Sequence, residues 1–358
     1  MPHRPLPAGT IHVDALTIRP SRLCSPEFQR FYAGTIVEGI EPEWPVPARD
    51  APQAAWDEFD AWADRQCNAA PLAAALARYP VDIVETQLGG VHVAVATPKE
   101  GIAAHNQHRV LINLHGGSFV MNRGVMGGLL ESVPVASIGR IKVVTVDYRQ
   151  APFHRHPAGS EDVEAVYACL TAQYSPAAIG IYGCSAGGVL TAQAVARFQQ
   201  RELPTPGAIG IFNAAPPPPL GRTPPWAPGW GDSGIWFSGR PKNEPSTVER
   251  AMARVGEWYM EGTELRDPQA YPGCHAETLA KFPPTLLLSG TRDFAMSIVV
   301  AAHARLLQLE VDASLYLMEG CQHGAHIVAV DTREAHDAQS YIARWFDERL
   351  APQPAPAT

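Results

Sequence analysis

Six short apolar runs punctuate the chain, at residues 110–114, 141–146, 178–182, 208–212, 285–288 and 314–318. Each has strand length and is mostly non-alternating, the pattern of strands buried on both faces. Helical patterns lie between several of them. Ser160 stands where it can cap a helix running EDVEAVYACL, with Glu161 and Asp162 in its positive first turn. Residues 187–199 and 296–309 are helical in pattern. A last helix places Ala338, Tyr341, Ile342, Trp345 and Phe346 on one face. Strands alternating with helices predict an α/β chain with a parallel, doubly wound sheet.

Two segments break the alternation. Residues 1–80 precede the sheet and read as loop followed by helix (AWDEFDAWADRQ). Residues 214–282 open on APPPPLGRTPPWAPGWGDSG, too rich in proline and glycine for regular structure, and continue as the helical STVERAMARVGEWYM. An insertion after a strand's carboxyl end lies where α/β sheets bind ligands. The two segments are therefore read together as a cap on a body spanning 81–350, with 351–358 a disordered tail.

Hydrophobic residues make up 46% of the chain and charged residues 18%, enough apolar surface for a sizeable core. The net charge is −8 and basic clusters are short, which argues against nucleic acid and against an anionic membrane surface. The six cysteines are scattered without a CxxC pair, which suggests neither a zinc site nor a disulfide framework. No apolar run approaches the roughly 20 residues that a membrane helix needs. The proline-rich start has no signal-peptide core. A soluble, cytoplasmic protein is expected.

The chemistry centres on Gly183-Cys184-Ser185-Ala186-Gly187, a serine framed by small residues between a strand and a helix. A G-x-S-x-G elbow of this kind strains the turn and exposes the hydroxyl for attack. A plain glycine-rich turn is the bland alternative. A nucleophile also needs a base, an acid to orient it and donors for the oxyanion. His323, between the last strand and the last helix, is the candidate base, with His326 as its local competitor. Asp293, directly after the penultimate strand, is the candidate acid, with Glu319 as the alternative. The order Ser, Asp, His is workable along the chain. The loop LHGGSFV after the first long apolar run offers Gly117 and Ser118 as backbone donors, and Ala186 a third. His115 is read as shaping that loop. The Gly-Lys-Ser/Thr of a Walker loop is missing. Trp226, Trp230, Trp236 and Phe237 in the cap, with Phe119 on the donor loop, could wall an apolar substrate pocket or, equally, anchor the proline-rich loop.

With HGGSF (115–119), VDYRQAP (146–152), GCSAGG (183–188), the acid loop at Asp293 and His323-Gly324 in this order, the chain resembles the hormone-sensitive-lipase branch of the α/β-hydrolase esterases. The resemblance implies an α/β-hydrolase fold: a mostly parallel eight-stranded sheet flanked by helices, with a helical cap. It implies hydrolysis of carboxylic esters with short to medium acyl chains, a small-molecule ester as partner, and no metal or organic cofactor. It allows a homodimer through the final strand and helix. The chain departs from the family pattern at four places. Ser118 replaces a third glycine, Cys184 stands where an acidic residue is common, Phe153 replaces the glutamate of YRxAPE, and Gln322 and Ala325 flank the histidine loop. The same machinery would serve a lactonase or amidase. A receptor that has lost hydrolysis is a further alternative, against which stands the histidine at 323.

Overall fold

The computed structural model describes residues 19–35, 45–216, 258–264 and 266–351. Their centre is one eight-stranded sheet, β1 (Val81–Leu88), β2 (Val91–Pro98), β3 (Val110–Leu114), β4 (Lys142–Val146), β5 (Ile179–Cys184), β6 (Ala208–Phe212), β7 (Thr285–Gly290) and β8 (Ala313–Met318). The spatial order is β1-β2-β4-β3-β5-β6-β7-β8. The first two strands form an antiparallel hairpin, β2 meets β4 antiparallel, and every other pairing is parallel. Thus β3 lies at the middle, with Ile112 opposite Val144 on one side and Ile181 on the other.

The central strands are apolar on both faces because both faces are covered. Val110, Ile112, Leu114, Ile179, Ile181, Ile209, Ile211 and Leu287 join one core cluster. Leu111, Tyr182, Cys184, Ala208, Phe212, Leu286 and Leu288 join the other. Helices Ala158–Thr171 and Ala186–Gln200 contribute to the first. Helices Met126–Gly139 and Arg333–Arg349 contribute to the second. The final helix buries Ala338, Ile342, Trp345 and Phe346, and Tyr341 packs at the cluster's edge. Thr332 caps it, accepting the Ala335 N–H at 3.3 Å.

Ser160 is not a helix cap. The helix begins two residues earlier, at Ala158 after Pro157, and Ser160 is buried within its first turn with no hydrogen-bond partner for its hydroxyl. Proline before the first helical residue sets the chain's entry and overrides the capping signal further in.

Helices Pro26–Thr35, Gln53–Ala63 and Ala69–Arg78 precede the sheet, the last two joined by a π-helical stretch, Asp64–Asn68. Trp56 anchors the second of them, edge-on to Phe59, Phe153 and Trp258 at centroid distances of 5.9, 6.4 and 6.0 Å. Trp226, Trp230, Trp236 and Phe237 lie outside the described residues, as do 352–358. Among the described residues no helix is long and apolar enough to cross a membrane.

Candidate active site

Four strand ends converge on one edge of the sheet. The loops after β3, β5, β7 and β8 carry Gly117 and Ser118, Ser185, Asp293 and His323 respectively. In a parallel sheet this carboxyl edge is where ligand sites form.

Ser185 sits between β5 and helix Ala186–Gln200 with φ 56° and ψ −119°, a conformation that non-glycine residues seldom adopt. Its backbone N–H is held by the Phe212 carbonyl at 2.8 Å, and its own carbonyl accepts from Val189 at 3.0 Å. The flanking glycines make the strained turn sterically feasible. A Cβ on Gly187 would stand 1.8 Å from the Leu114 carbonyl oxygen, and one on Gly183 2.3 Å from the same atom. The elbow therefore presses against the end of β3, which carries the donor loop. Ser185 itself is half-buried, and its Cβ lies 3.4 Å from the point a Cβ on Gly116 would occupy.

Asp293 is fully buried and takes four hydrogen bonds. His323 Nδ1 lies 2.8 Å from Oδ1, which also accepts the Ala295 N–H at 2.9 Å. Oδ2 accepts from Asn213 Nδ2 at 2.6 Å and from the Ser289 hydroxyl at 2.7 Å. Burial alone would raise the pKa of this carboxyl. The His323 ring and the Asn213 and Ala295 donors outweigh it and hold the group below the usual range, as a carboxylate. A carboxylate fixed in this way accepts Nδ1–H and leaves the Nε2 side of His323 as the basic position. Phe294 lies nearly parallel to the imidazole, with centroids 4.2 Å apart.

Both competitors are engaged elsewhere. Glu319 accepts from Ser21 at 2.7 Å and from Thr291 at 3.1 Å, away from the imidazole. His326 is buried edge-on against Phe212. Burial, reinforced by the nearby His323, pushes its pKa down to about 3, so it stays neutral.

In the donor loop, Gly117 has φ +125°, Ser118 +53° and Phe119 +61°. Successive positive-φ residues turn the backbone inside out, and among the described residues the N–H groups of Gly117, Ser118 and Ala186 have no hydrogen-bond acceptor. The loop closes on itself through Val120 and Met121, whose N–H groups reach the Gly117 carbonyl at 3.0 and 2.9 Å. The Gly116 carbonyl accepts from Asn122 Nδ2 at 3.0 Å and lies 2.8 Å from His115 Nδ1. A trans peptide is planar, so fixing that carbonyl aims the Gly117 N–H the opposite way. His115 is buried, stacked on Tyr148 at 4.3 Å, and burial lowers its pKa, which suits a loop-shaping role. Phe119 has 1% exposure, and its ring stacks on Tyr259 at 4.2 Å.

Three of the sequence departures find a structural counterpart. Cys184 is buried beneath the elbow with its sulfur 3.4 Å from Asn213 Oδ1. Phe153 lies under the Arg123 guanidinium, 5.1 Å from ring centroid to charge, while that guanidinium pairs with Asp60. Ala325 is buried and opens the short helix Ala325–Val328 directly after the His323 loop. Asn213, Ser289 and Asn122 were not marked in the sequence. Each is a small polar residue at a strand end or in a loop, with no local pattern to distinguish it from an ordinary turn residue.

The sheet order, with its parallel strands and the elbow after β5, is that of the α/β-hydrolase fold. The chain belongs to that family: the alpha/beta hydrolase fold profile matches residues 111–327. Among solved structures it is similar to the esterase E25, with 26% identity, a TM-score of 0.77, and coverage of 96% of this chain and 99% of that one. It shares its fold with an esterase from the bacterial hormone-sensitive lipase family, with 20% identity, a TM-score of 0.67, and coverage of 86% of this chain and 93% of that one. It is 29% identical to Esterase LipI of Mycobacterium tuberculosis over 191 residues, 50% of this chain and 53% of LipI, so the match spans about half the length of that relative.

Proposed function

We propose that the protein is a serine carboxylesterase that hydrolyses short- to medium-chain esters of small molecules through an acyl-enzyme. Ser185 attacks the ester carbonyl while His323 Nε2 takes its proton. The tetrahedral oxyanion is received by the N–H groups of Gly117, Ser118 and Ala186. His323 returns the proton to the leaving alcohol, and water then repeats the sequence on the acyl-enzyme. Asp293 keeps the imidazole in the required tautomer and stabilises the imidazolium that forms in each half-reaction.

The observation that carries this reading is the 2.8 Å contact between His323 Nδ1 and a fully buried, four-fold hydrogen-bonded Asp293. Such an arrangement fixes the imidazole's orientation. A binding protein that had abandoned hydrolysis would have no use for it. The similarity to E25 and LipI, both named esterases, favours esters over lactones and amides.

A panel of aryl esters of increasing acyl length, lactones and anilides tests the proposal, with Ser185→Ala as control. Turnover should be highest on acetate to hexanoate esters and vanish in the variant. Wild-type turnover by Ser185→Ala would overturn the mechanism, and a clear preference for long chains, lactones or anilides would overturn the substrate class.

A further inference from the structure

Helix Met126–Gly139 is apolar on all sides, with Leu129, Leu130, Val133, Val135 and Ala136 buried, and yet Glu131 is buried among them. No cationic side chain pairs with it among the described residues. Its partners are N–H groups. Oε1 accepts the Gly116 N–H at 2.9 Å, and Oε2 accepts Asn113 Nδ2 at 3.0 Å. The backbone N–H of Cys184, the residue before Ser185, also favours the ionised form of this carboxyl. The helix is tied to the nucleophile strand a second time, through the Tyr182 hydroxyl on the Glu131 carbonyl at 3.2 Å. Burying a carboxyl in such a place is costly unless its hydrogen bonds are made. Here the compensation comes from the donor loop and from the two strands that flank it.

We propose, on the esterase reading above, that Glu131 is a positioning residue that clamps the Gly116 peptide and thereby sets the pitch of the oxyanion donors relative to Ser185. The geometry is two-sided. Glu131 holds the N–H on one side of the Gly116 Cα, and Asn122 and His115 hold the carbonyl on the other. With both peptide planes around Gly116 fixed, the next N–H, that of Gly117, has one direction left to it. Asn122 is in turn braced by Asn68 at 2.9 Å, at the end of the π-helical stretch that packs beside the donor loop. Glu131 also meets the strand bearing the nucleophile, through its backbone carbonyl and the Tyr182 hydroxyl. It couples donor to nucleophile rather than merely stiffening the loop.

The test compares Glu131→Met, Glu131→Asp and Glu131→Gln on an aryl butyrate, with kcat expressed per serine titrated by a fluorophosphonate. Met removes both acceptors, and Asp keeps a carboxyl while drawing it back from Gly116. For both we expect kcat per titrated serine to fall about 10- to 100-fold, the scale of a displacement near 1 Å at a reacting centre, with KM changed by less than about threefold. Inhibition by an aryl trifluoromethyl ketone, which binds as an oxyanion, should weaken by the same factor. Gln retains an oxygen for Gly116 and should recover most of the activity. If the Met variant does not fold, the Asp variant carries the test. Titrated Met or Asp sites that turn over at the wild-type rate, or a fall in kcat without weaker ketone binding, would overturn the inference. Failure of the wild-type protein itself to label or to hydrolyse would instead overturn the esterase reading.

Discussion

Replacing Asp293 by Asn removes a charge and little else. The carboxylate oxygens face two sets of donors, His323 and Ala295 on Oδ1, Asn213 and Ser289 on Oδ2. An amide nitrogen is tolerated only on the second set, because the Ser289 hydroxyl can rotate to accept and the Asn213 amide can turn. The carbonyl oxygen then stays on His323, and the ring keeps its place. What is lost is the attraction between the carboxylate and the imidazolium of the transition state. With the charge centres about 4 Å apart and an effective dielectric constant near 20, that attraction is about 4 kcal/mol. Each 1.36 kcal/mol is a factor of ten, so kcat should fall about 10³-fold, and by as much as ~10⁴-fold if the wrong tautomer is also populated. The assay is aryl butyrate hydrolysis near pH 7.5, normalised to phosphonate-titrated serine, with Ser289→Ala as a packing control. A variant within tenfold of wild type would refute the role given to Asp293.

Further outcomes follow from the same geometry. In Gly187→Ala, the new Cβ must retreat from 1.8 Å to at least 3.0 Å from the Leu114 carbonyl oxygen. That moves the elbow by more than an ångström against the donor loop, and kcat should drop at least about 100-fold; a crystal structure with an undisplaced elbow would contradict this. Burial pushes the pKa of His326 down to about 3 and that of His156 down to about 4. In the unfolded chain each titrates near its ordinary value of 6.5. The folded state therefore binds fewer protons as the pH falls below 6.5, and stability is lost from there down towards the folded-state values. His326→Leu should make the acid side of the curve shallower by up to about 1.4 kcal/mol per pH unit, measured by urea titration between pH 6 and 4.5; an unchanged slope would refute it.

Much of the sheet was legible because central parallel strands are continuous apolar runs, and all six such runs are strands. The β1–β2 hairpin was not picked out as strands. Its outer strand is largely exposed, so VDIVETQL lacks an apolar run, and its pairing depends on the Gly89-Gly90 turn, where both residues have positive φ. At the site, the elbow, the acid and the base each sit at a strand end, a place that sequence order and pattern can mark. Asn213 and Ser289 converge on Asp293 from two different strand ends, a relation with no expression in local sequence. Glu131 did leave a signal, a lone acid in the apolar stretch MGGLLESVPVAS. Its meaning needed the fold, which brings it beneath Gly116. The expected helix cap at Ser160 failed because that helix already begins at Ala158, directly after Pro157.

Intact-protein and peptide mass spectrometry after brief exposure to a fluorophosphonate tests the central claim most directly. One adduct per chain is expected, mapped to the peptide holding Ser185, absent in Ser185→Ala and slow to form in His323→Ala. An adduct on another residue, or labelling at the same rate without the imidazole, would contradict it.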